Sequence, residues 1–368
     1  MANKPRSSES AELPPFYAMV HSGLEPVTAD EINRDLGGEV KKTSRGLVVF
    51  RLDTLNPDVL KLRTCEDVFL LAWGSDTLTY KADDLQTIRT WTARKAKWES
   101  LFRLHHLLKP KTKGKPTYRI VCQMQGEHGY RRNDARDALR AGLAGKIPHG
   151  WLPADENAWI EIWLTIQGKT AVCGVRLSDR TMRHRTYKLE HVAASLRPTM
   201  AAAMVRLAGV GPGMAVLDPM CGAGTILAEA MELSKQRKYA TVHVFGGDND
   251  PHAVFTANEN LVRVGPVDVA RWDIARLPLA EQCVDRVICN PPFGVQLAKP
   301  EEIPAMYEML ARECDRALRP NGRAVFITSE QETLRALLLQ RGWSPSRQLR
   351  VRILGQSATI SVWQKPEA

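Results

Sequence analysis

The sequence has 368 residues, 44% of them hydrophobic, and is long enough for two or three domains with cores of their own. No apolar run approaches the roughly 18 residues that a membrane-spanning helix needs. Seven cysteines, with no C-x-x-C pair and no histidine at metal spacing, argue against a disulfide framework and a structural zinc site. We therefore expect a cytoplasmic protein with reduced thiols and no metal ion.

The N-terminal part of the chain predicts a small α+β unit. Residues 1–14 contain charges and serines but no apolar segment, so we expect a disordered leader and not a signal peptide. Alternating apolar residues predict a strand at 16–21, followed by a helix that ends at Gly37 and a second strand. This unit, residues 15–60, is too short to be stable alone.

Residues 61–178 add further helices and strands. Among them, "AWIEIWLTIQGKTAVCGVRL" predicts a hairpin that turns at Gly168. The polar and basic text that follows predicts a connector over residues 179–197. Five tryptophans lie in apolar stretches of the sequence, which favours core packing over base stacking. They are Trp91, Trp98, Trp151, Trp159 and Trp163.

The net charge of +10 is unevenly distributed. Residues 101–150 hold 11 Lys and Arg against 3 Asp and Glu, whereas residues 196–368 hold 20 against 18. The basic excess forms two clusters, "KPKTKGKPTYR" and "YRRNDARDALR", each with an aromatic residue. A solvated basic face is one interpretation; the concentration in one segment favours a polyanionic partner.

In the C-terminal half, short apolar segments typical of strands alternate with segments that have a helical pattern. Strands are predicted at "MAVLD", "VHVFGGD", "VDVAR", "DRVICN" and "RAVFITS". This alternation predicts a parallel sheet with right-handed crossovers and a ligand at the carboxyl ends of the strands. After one more helix, "QLRVRIL" and "ATISVWQ" predict a hairpin that closes the sheet.

Glycines and carboxylates follow the first three of these strands. Gly222 and Gly224 in "DPMCGAGT" let a ligand approach the backbone at the start of a helix, although a turn of this kind alone is weak evidence. Asp248 at the next strand end can accept both hydroxyls of a ribose, and Asp273 follows the third strand. No Gly-Lys-Ser/Thr sequence follows the glycines, so the set favours a nucleoside ligand without a polyphosphate.

The fourth strand ends abruptly in Asn290-Pro291-Pro292-Phe293. Prolines lack an N–H and fix φ near −65°, so the carbonyl groups of this segment are rigidly aimed. A turn with an asparagine cap and an aromatic lid on the core is the alternative interpretation.

These motifs together resemble a known family. "LDPMCGAGTILAEA", "GGDND", "RWDIARLPL" and "NPPFG" are similar, in this order, to motifs of the class I S-adenosylmethionine-dependent methyltransferases that methylate amino groups. Upstream, "GLEPVTADEI", "YRIVCQMQGEHGY" and "VCGVRLSDRTMRHRTYK" resemble the N-terminal and THUMP domains of the THUMP-containing tRNA guanine-N2-methyltransferases. The resemblance covers the chain from about residue 15 onward.

The resemblance implies an α/β fold. Its C-terminal part, residues 198–368, would be a Rossmann-like class I methyltransferase domain with a seven-stranded mixed sheet and an antiparallel last strand. An α+β ferredoxin-like domain (15–60, with parts of the following segment) and a THUMP RNA-binding domain (61–178) would precede it.

The resemblance also implies roles for the motif residues. Asn290 and the carbonyl of Pro291 would each accept one hydrogen of an exocyclic amino group, next to Pro292, and Phe293 would stack on the base. The implied cofactor is S-adenosyl-L-methionine. Its binding residues would be Asp218, Pro219, Cys221, Gly222, Gly224, Thr225, Asp248, Asn249, Asp273, Ile274 and Asn290.

For the RNA, the resemblance implies a THUMP domain on the tRNA 3′ end and a methylated guanosine in the acceptor stem, at position 6 or its neighbour. Basic side chains of the N-terminal half would contact phosphates. The candidates are Lys109, Lys111, Lys113, Lys115, Arg131, Arg132, Arg136, Arg180, Arg183 and Arg185. We expect a monomer. The eukaryotic branch of the family acts with a small activating partner, and the need for one is open here, because N-P-P-F replaces that branch's variant.

Other functions share some of these features. Guanine N2 and adenine N6 need the same two acceptors, so an rRNA guanine-N2 or an adenine-N6 methyltransferase is an alternative. A THUMP-bearing sulfur-transfer enzyme would need a pyrophosphatase-type loop, which we do not find. The intact motif carboxylates and Asn290 oppose a non-catalytic RNA-binding protein with a decayed methyltransferase domain.

Overall fold

The computed structural model describes residues 13–111, 113–190, 192, 195–239, 242–293, 301–353 and 355–367. Within these ranges the strands form two sheets, one in each half of the chain, and no helix has the length and apolar character to cross a membrane. The N-terminal half contains β1 (Phe16–Met19), α1 (Glu25–Leu36), β2 (Glu39–Ser44), β3 (Leu47–Arg51), a 3₁₀ turn (Pro57–Lys61), β4 (Asp67–Ser75), α2 (Asp83–Arg94), α3 (Trp98–Leu108), β5 (Thr117–Gln125), α4 (Arg132–Gly142), β6 (Leu152–Pro153), β7 (Ile160–Gln167), β8 (Thr170–Arg176) and α5 (Thr181–His184). The C-terminal half contains α6 (Pro198–Ala208), β9 (Ala215–Asp218), α7 (Thr225–Gln236), β10 (His243–Asp248), α8 (Pro251–Leu261), β11 (Asp268–Arg271), β12 (Val284–Cys289), α9 (Ile303–Ala317), β13 (Leu318–Thr328), α10 (Gln331–Gln340), β14 (Ser344–Ile353) and β15 (Gln356–Gln364).

The N-terminal sheet runs in the order β2-β3-β1-β4-β8-β7-β5-β6. β1 pairs antiparallel with both β3 and β4, so β1 to β4 have a ferredoxin-like arrangement in which the 3₁₀ turn replaces the second helix. Its last strand lies beyond residue 60, and it pairs with β8. The strands on both sides of residue 60 therefore belong to one sheet, and the division of this half at that residue remains a prediction.

Two turns of this half lie where the sequence predicts them. α1 ends at Gly37, whose φ of 63° is left-handed, and the N–H of the next residue, Gly38, donates to the carbonyl of Ile32 at 3.2 Å. β7 and β8 form the predicted antiparallel hairpin, and Gly168 at its turn has a φ of 58°. Glycine adopts such positive φ values without the steric cost that other residues meet.

The C-terminal sheet runs in the order β11-β10-β9-β12-β13-β15-β14. β11, β10, β9, β12 and β13 are parallel, and β15 runs antiparallel to both β13 and β14. This confirms the predicted α/β fold with a mixed sheet and an antiparallel last strand. The chain order reverses between β9 and β12, and ligands of such sheets bind in the crevice at the carboxyl ends of the strands next to the reversal.

The two halves share part of a hydrophobic core. One buried cluster lies on the face of the C-terminal sheet that α6 and α7 cover, and it includes Leu24 and Val27 from the start of α1. A second cluster fills the opposite face, where Tyr307 and Leu310 of α9 pack. Because residues from α1 complete the first cluster, the N-terminal half is packed directly on the C-terminal domain.

The predicted connector is built into this interface. Tyr187 and Lys188 are each at most 9% exposed. Their segment is held by Asn260, whose side-chain oxygen accepts from the N–H groups of Leu189 and Glu190 at 3.0 Å. The polar sequence of this segment thus reflects buried hydrogen bonds as well as exposure to solvent.

Candidate active site

A cavity of about 730 Å³ opens at the carboxyl edge of the C-terminal sheet. Residues that follow β9, β10 and β12 line it together with residues near the beginning of α7 and α9. The predicted site residues among its lining are Asp218, Cys221, Gly222, Thr225, Asp248, Asn249, Asn290 and Pro292. Most of the predicted catalytic and cofactor-binding residues are spread over more than 70 positions of the sequence, and the structure brings them together around one cavity.

The glycine turn after β9 is shaped by backbone contacts. The N–H of Gly222 donates to Asp248 Oδ2 at 2.9 Å, and the N–H of Cys221 donates to the carbonyl of Gly247 at 2.9 Å. Gly224 has a φ of 73°, and an added Cβ would lie 3.0 Å from Leu261 Cδ1. Only glycine fits there, and α7 begins at the next residue with its free N–H groups toward the cavity edge.

Two further turn residues have structural contacts that sequence reasoning does not reveal. The carbonyl of Pro219 accepts from the indole Nε1 of Trp272 at 2.9 Å. Cys221 is 6% exposed, and burial raises the pKa of its thiol well above the ordinary value. A thiol of this kind stays protonated, so Cys221 packs in the turn and does not act as a nucleophile.

Asp218 is a buried carboxylic acid at the cavity wall. It is 1% exposed, and Oδ1 accepts from the N–H of Met220 at a long 3.3 Å. Burial raises the pKa of Asp218 well above its usual range, and the nearby Asp248 raises it further. A positively charged ligand in the cavity would favour the ionised form.

The Asp218→Asn variant is expected to melt at a higher temperature than the parent protein at pH 7 when no cofactor is present. A carboxyl group whose pKa is raised by folding destabilises the folded state at every pH above its unfolded pKa of about 3.9, and the amide removes this cost. The expected gain is a few degrees, since about 1 kcal/mol corresponds to about 2–4 °C in a domain of this size. With saturating S-adenosylmethionine the order is expected to reverse. Thermal unfolding with and without cofactor measures both; a lower melting temperature for the cofactor-free variant would contradict the expected cost of burial.

Asp248 ends β10 and faces the same cavity. Its Oδ2 holds Gly222, and Oδ1 accepts from the N–H of Asp250 at 3.1 Å. Each carboxylate oxygen has a further lone pair, so the group can bind ligand hydroxyls while it fixes the glycine turn. The neighbouring Asn249 also lines the cavity.

The structure does not bring Asp273 and Ile274 into the cavity lining. Asp273 Oδ1 accepts from the N–H of Ala275 at 2.8 Å within a turn, and Ile274 is 8% exposed in the core cluster under α9. Trp272, directly before them, packs against Gly247 instead. The assignment of these two residues to the cofactor remains a prediction.

Asn290, at the end of β12, carries an unpaired polar atom. Its side-chain oxygen is buried and has no hydrogen-bond partner among the residues that the structure describes. A buried acceptor without a donor costs free energy. Since Asn290 lines the cavity, a ligand group that donates a hydrogen bond can complete it.

The prolines after Asn290 are held by a residue that no motif indicates. Tyr307 on α9 donates from its hydroxyl to the carbonyl of Pro292 at 3.3 Å and lies 2.6 Å from Thr328 Oγ1. Thr328 Oγ1 in turn accepts from the N–H of Glu330 at 2.9 Å. This chain of bonds fixes the peptide next to the predicted catalytic carbonyl. The only sequence signal is the helical spacing of α9, which predicts burial and no partner.

Phe293 is half-buried and packs on the core cluster under α6 and α7. Pro291 is buried, and neither residue is part of the cavity lining. Gly294, which closes the predicted motif, lies outside the described residues. The stacking role of Phe293 therefore stays a prediction.

Comparison with known proteins agrees with this geometry. The RMKL-like methyltransferase domain of the UPF0020 family matches residues 185–358. Residues 185–358 are a class I methyltransferase domain. The match covers the glycine turn, Asp248 and Asn290 in one domain, and the methyl donor of the class is S-adenosylmethionine, as the sequence motifs predict.

Similar proteins extend over more of the chain than this methyltransferase domain. The tRNA (guanine(6)-N2)-methyltransferase of Thermus thermophilus is 28% identical over 338 residues, which are 90% of this chain and 93% of the relative. The tRNA (guanine(6)-N(2))-methyltransferase THUMP3 of Bos taurus is 30% identical over 261 residues, 66% of this chain, which spans only 50% of that relative. The crystal structure of TrmN from Thermus thermophilus has a TM-score of 0.75 at 25% identity and covers 95% of this chain and 99% of its own.

The residues of the methyltransferase cavity fit the cofactor. Two carboxylates, Asp218 and Asp248, suit a ligand that carries positive charge and ribose hydroxyls, and the glycine turn leaves room against the backbone. Met306 and Met309 of α9 line the same cavity and provide an apolar, adaptable wall. Sequence motifs do not predict these methionines or Ser195, another lining residue whose buried hydroxyl has no partner within the described ranges.

The predicted RNA-binding residues are divided among different surroundings. Lys113, Lys115, Arg131, Arg132 and Arg180 are exposed, Lys109 and Lys111 are half-buried, and half-buried Arg136 lies 3.9 Å from Asp137. Arg183 is ion-paired with Asp67. Arg185 is buried and bonded to Glu229 at 3.0 Å, so its prediction as an RNA contact is wrong. A basic residue in polar text can serve a buried carboxylate as readily as a phosphate.

An aromatic and basic groove of about 1440 Å³ lies in the N-terminal half. Trp151 and Trp159 line it with their rings 5.5 Å apart, and both are half-buried. Lys111 lines it as well, together with Lys97, Arg103, Lys146 and His149. The predicted core role is confirmed for Trp98, which is 3% exposed, whereas Trp151 and Trp159 also border open space. We call the groove lined by these residues the aromatic-basic groove.

Proposed function

We propose that this protein transfers a methyl group from S-adenosylmethionine to the exocyclic N2 of a guanosine in tRNA. The observation that carries the proposal is the buried, unpaired side-chain oxygen of Asn290 beside the cofactor cavity. An exocyclic amino group is a donor that would complete it. The printed activities of the relatives that match most of this chain support the choice of tRNA and of guanine N2.

The proposed chemistry depends on orientation. When bound, S-adenosylmethionine supplies an electrophilic methyl group. The lone pair of the guanine amino nitrogen is delocalised into the ring, so this nitrogen is a poor nucleophile until it is held in place. Asn290 Oδ1 and the carbonyl of Pro291 would each accept one amino hydrogen and so direct the lone pair out of the base plane. Placement of this kind accounts for several kcal/mol of a barrier, on the order of 7–11 in the best cases.

The same two acceptors would serve the later part of the reaction. The nitrogen becomes positively charged as it gains the methyl group, and both oxygens stabilise that charge. One amino proton then leaves toward water and neutral N2-methylguanosine remains. No strong general base is required, and the buried Asp218 is not needed as one.

The modified nucleotide is proposed to lie in the acceptor stem, at position 6 or its neighbour. The number in the names of the relatives supports this position. We propose further that residues 61–178 act as a THUMP domain and bind the tRNA 3′ end, which would set the distance to the methylated guanosine. The protein is expected to act as a monomer in the cytoplasm, where its tRNA substrate is found.

We propose that RNA binds the aromatic-basic groove. Aromatic faces stack on unpaired bases and basic side chains neutralise phosphates, and the groove offers both beside each other. The exposed arginines at the start of α4, Arg131 and Arg132, line no part of it. The two basic clusters look equivalent in the sequence, but only the first of them contributes a basic residue, Lys111, to the groove.

Replacing Lys97, Arg103 and Lys111 together with Gln is expected to weaken tRNA binding and flatten its salt dependence. Each lost phosphate contact lowers the slope of log K against log salt by about 0.7–0.9, so the triple variant is expected to lose about 2 slope units. Binding titrations at several salt concentrations measure the slope. The double variant Arg131→Gln/Arg132→Gln is the matched control; a larger slope change in this control would move the RNA surface to α4.

The test of the proposed function is methyl transfer from labelled S-adenosylmethionine to unmodified tRNA by the purified chain, followed by nucleoside analysis. N2-methylguanosine is the expected product. N6-methyladenosine, or N2-methylguanosine formed only in ribosomal RNA, would replace the proposal with one of its alternatives. Activity that appears only after a partner protein is added would show that an activator is needed.

A further inference from the structure

A buried carboxylate joins the two halves of the protein. Glu229, on α7, has a side chain with 0% exposure. Arg63, which precedes β4, approaches it with two nitrogens, Nε at 2.6 Å from Oε2 and Nη2 at 3.0 Å from Oε1. Arg185 Nε and the Tyr187 hydroxyl, both from the connector, bond to Oε1 at 3.0 and 2.7 Å. We call these four residues the interdomain cluster.

The interdomain cluster crosses three segments of the chain. Arg63 belongs to the N-terminal half, Arg185 and Tyr187 to the connector, and Glu229 to the methyltransferase domain. Arg185 also donates from Nη2 to the carbonyl of Arg63 at 2.7 Å, which ties the connector to the N-terminal half independently of Glu229. Paired guanidinium–carboxylate bonds are directional, so they fix a relative orientation as well as a distance.

A second set of ion pairs, made by the buried Glu31 and the half-buried Asp35, lies on the same interface. Arg206 of α6 bonds to Glu31 of α1 at 2.7 Å and also contacts Asp35. Arg237, next to the end of α7, bonds to Asp35 at 2.9 Å. Because two separate sets of ion pairs join the halves, each set restrains rotation of one half against the other about the other set.

Glu229 lies close to the cofactor site along its own helix. Thr225, the first residue of α7, lines the methyltransferase cavity, and Glu229 follows it by four positions, one helical turn, on the same side of α7. Burial opposes the charge of Glu229, but Arg63 and Arg185 outweigh this effect and lower the pKa of its carboxyl group. A charged side chain held in this way connects the N-terminal half to the helix that begins at the glycine turn.

We propose that Glu229 is a positioning residue that determines which nucleotide of the RNA reaches Asn290. The N-terminal half holds the RNA and the methyltransferase domain modifies it, so their relative placement selects the reactive guanosine. The directional guanidinium–carboxylate bonds of the interdomain cluster restrict the angle between the domains. This inference rests on the proposed function, since it assumes that the N-terminal half binds tRNA.

The test compares Glu229→Gln and Arg63→Gln with Lys235→Gln, a control on the exposed face of α7. Arg63→Gln removes the direct bonds between Glu229 and the N-terminal half but leaves Arg185 and Tyr187 on Glu229, so it remains informative if Glu229→Gln does not fold. Thermal unfolding and calorimetry with S-adenosylmethionine first establish that each variant is folded and binds cofactor. Methylated positions are then mapped in an unmodified tRNA and in a fragment that lacks the single-stranded 3′ end.

The parent protein and Lys235→Gln are expected to methylate one guanosine position in the whole tRNA. The cluster variants are expected to bind cofactor within about twofold of the parent but to lose up to about 100-fold in rate on whole tRNA, as misplacement by about 1 Å costs, and to spread methylation over neighbouring guanosines. On the fragment, parent and variants are expected to be equally slow.

Two results would overturn the inference. Folded variants that methylate the same guanosine at the parent rate would show that the cluster does not position the RNA. An equal loss on tRNA and fragment would place the effect inside the methyltransferase domain. Failure of the parent protein to methylate tRNA is a separate result, because it refutes the proposed function before any variant is compared.

Discussion

Asn290→Ala is expected to lower the rate of methyl transfer by about 100- to 1,000-fold, the range seen when one aligned hydrogen-bonding group is removed from an active site. The side-chain oxygen of Asn290 is the buried acceptor without a partner within the described residues, and its loss leaves the amino nitrogen without a fixed orientation. Single-turnover kinetics with saturating cofactor measure this rate directly.

Cofactor affinity separates this role from a structural one. In Asn290→Ala, the dissociation constant for S-adenosylmethionine by calorimetry is expected to stay within about threefold, since an interaction with the reacting group affects the rate more than binding. Asn290→Asp is the matched control, because it keeps an acceptor oxygen at the same place and is expected to retain more activity than the alanine variant. An equal loss of cofactor binding and of rate would contradict the role assigned to Asn290.

Asp248→Ala is expected to weaken S-adenosylmethionine binding by about 100-fold. The carboxylate holds the N–H groups of Gly222 and Asp250 and has lone pairs left for ribose hydroxyls. Hydrogen bonds to charged groups contribute about 1.5–3 kcal/mol each, and 1.4 kcal/mol corresponds to a factor of ten. Calorimetry of the variant with S-adenosylmethionine measures the change.

Asp268→Ala is the control for Asp248→Ala. Asp268 is an exposed carboxylate at the opposite end of the same sheet, at the start of β11. It is expected to bind cofactor like the parent protein, and an equal loss in both variants would show that the effect is not specific to the cavity. Asp273→Ala in the same assay tests the adenine contact that the family resemblance implies for Asp273.

The features that sequence predicts well are local ones. A strand end, a glycine turn or a hairpin such as β7–β8 is specified by residues within about ten positions, so patterns in the sequence indicate them directly. Such patterns indicate the turn from Asp218 to Thr225, Asp248 and Asn290, and the parallel sheet then brings their strand ends to one cavity.

The features that sequence could not predict depend on distant partners. Arg63 and Glu229 are 166 positions apart, and no pattern near either residue indicates the other. Arg180 and Arg185 stand in the same polar text, yet Arg180 is exposed and Arg185 is buried. Which arginine turns inward is decided by the position of Glu229 after folding, so tertiary structure overrides the local pattern.

Tyr307 illustrates the same limit at the active site. Its spacing in α9 predicts only that it faces the core, whereas the structure places its hydroxyl against the carbonyl of Pro292. Trp151 and Trp159 show a related case: the apolar sequence around them predicts core packing, whereas both are half-buried and line the aromatic-basic groove. Burial is therefore easier to predict than the partner or the surface that a side chain meets.

Methyl transfer to a tRNA that carries inosine in place of the methylated guanosine tests most directly whether the exocyclic amino group beside Asn290 is the acceptor. Inosine differs from guanosine only in lacking the 2-amino group. The parent tRNA is expected to gain N2-methylguanosine, and the inosine tRNA is expected to bind with similar affinity and gain no methyl group at that position. Methylation of the inosine tRNA at the same nucleotide and at a similar rate would contradict the proposed function.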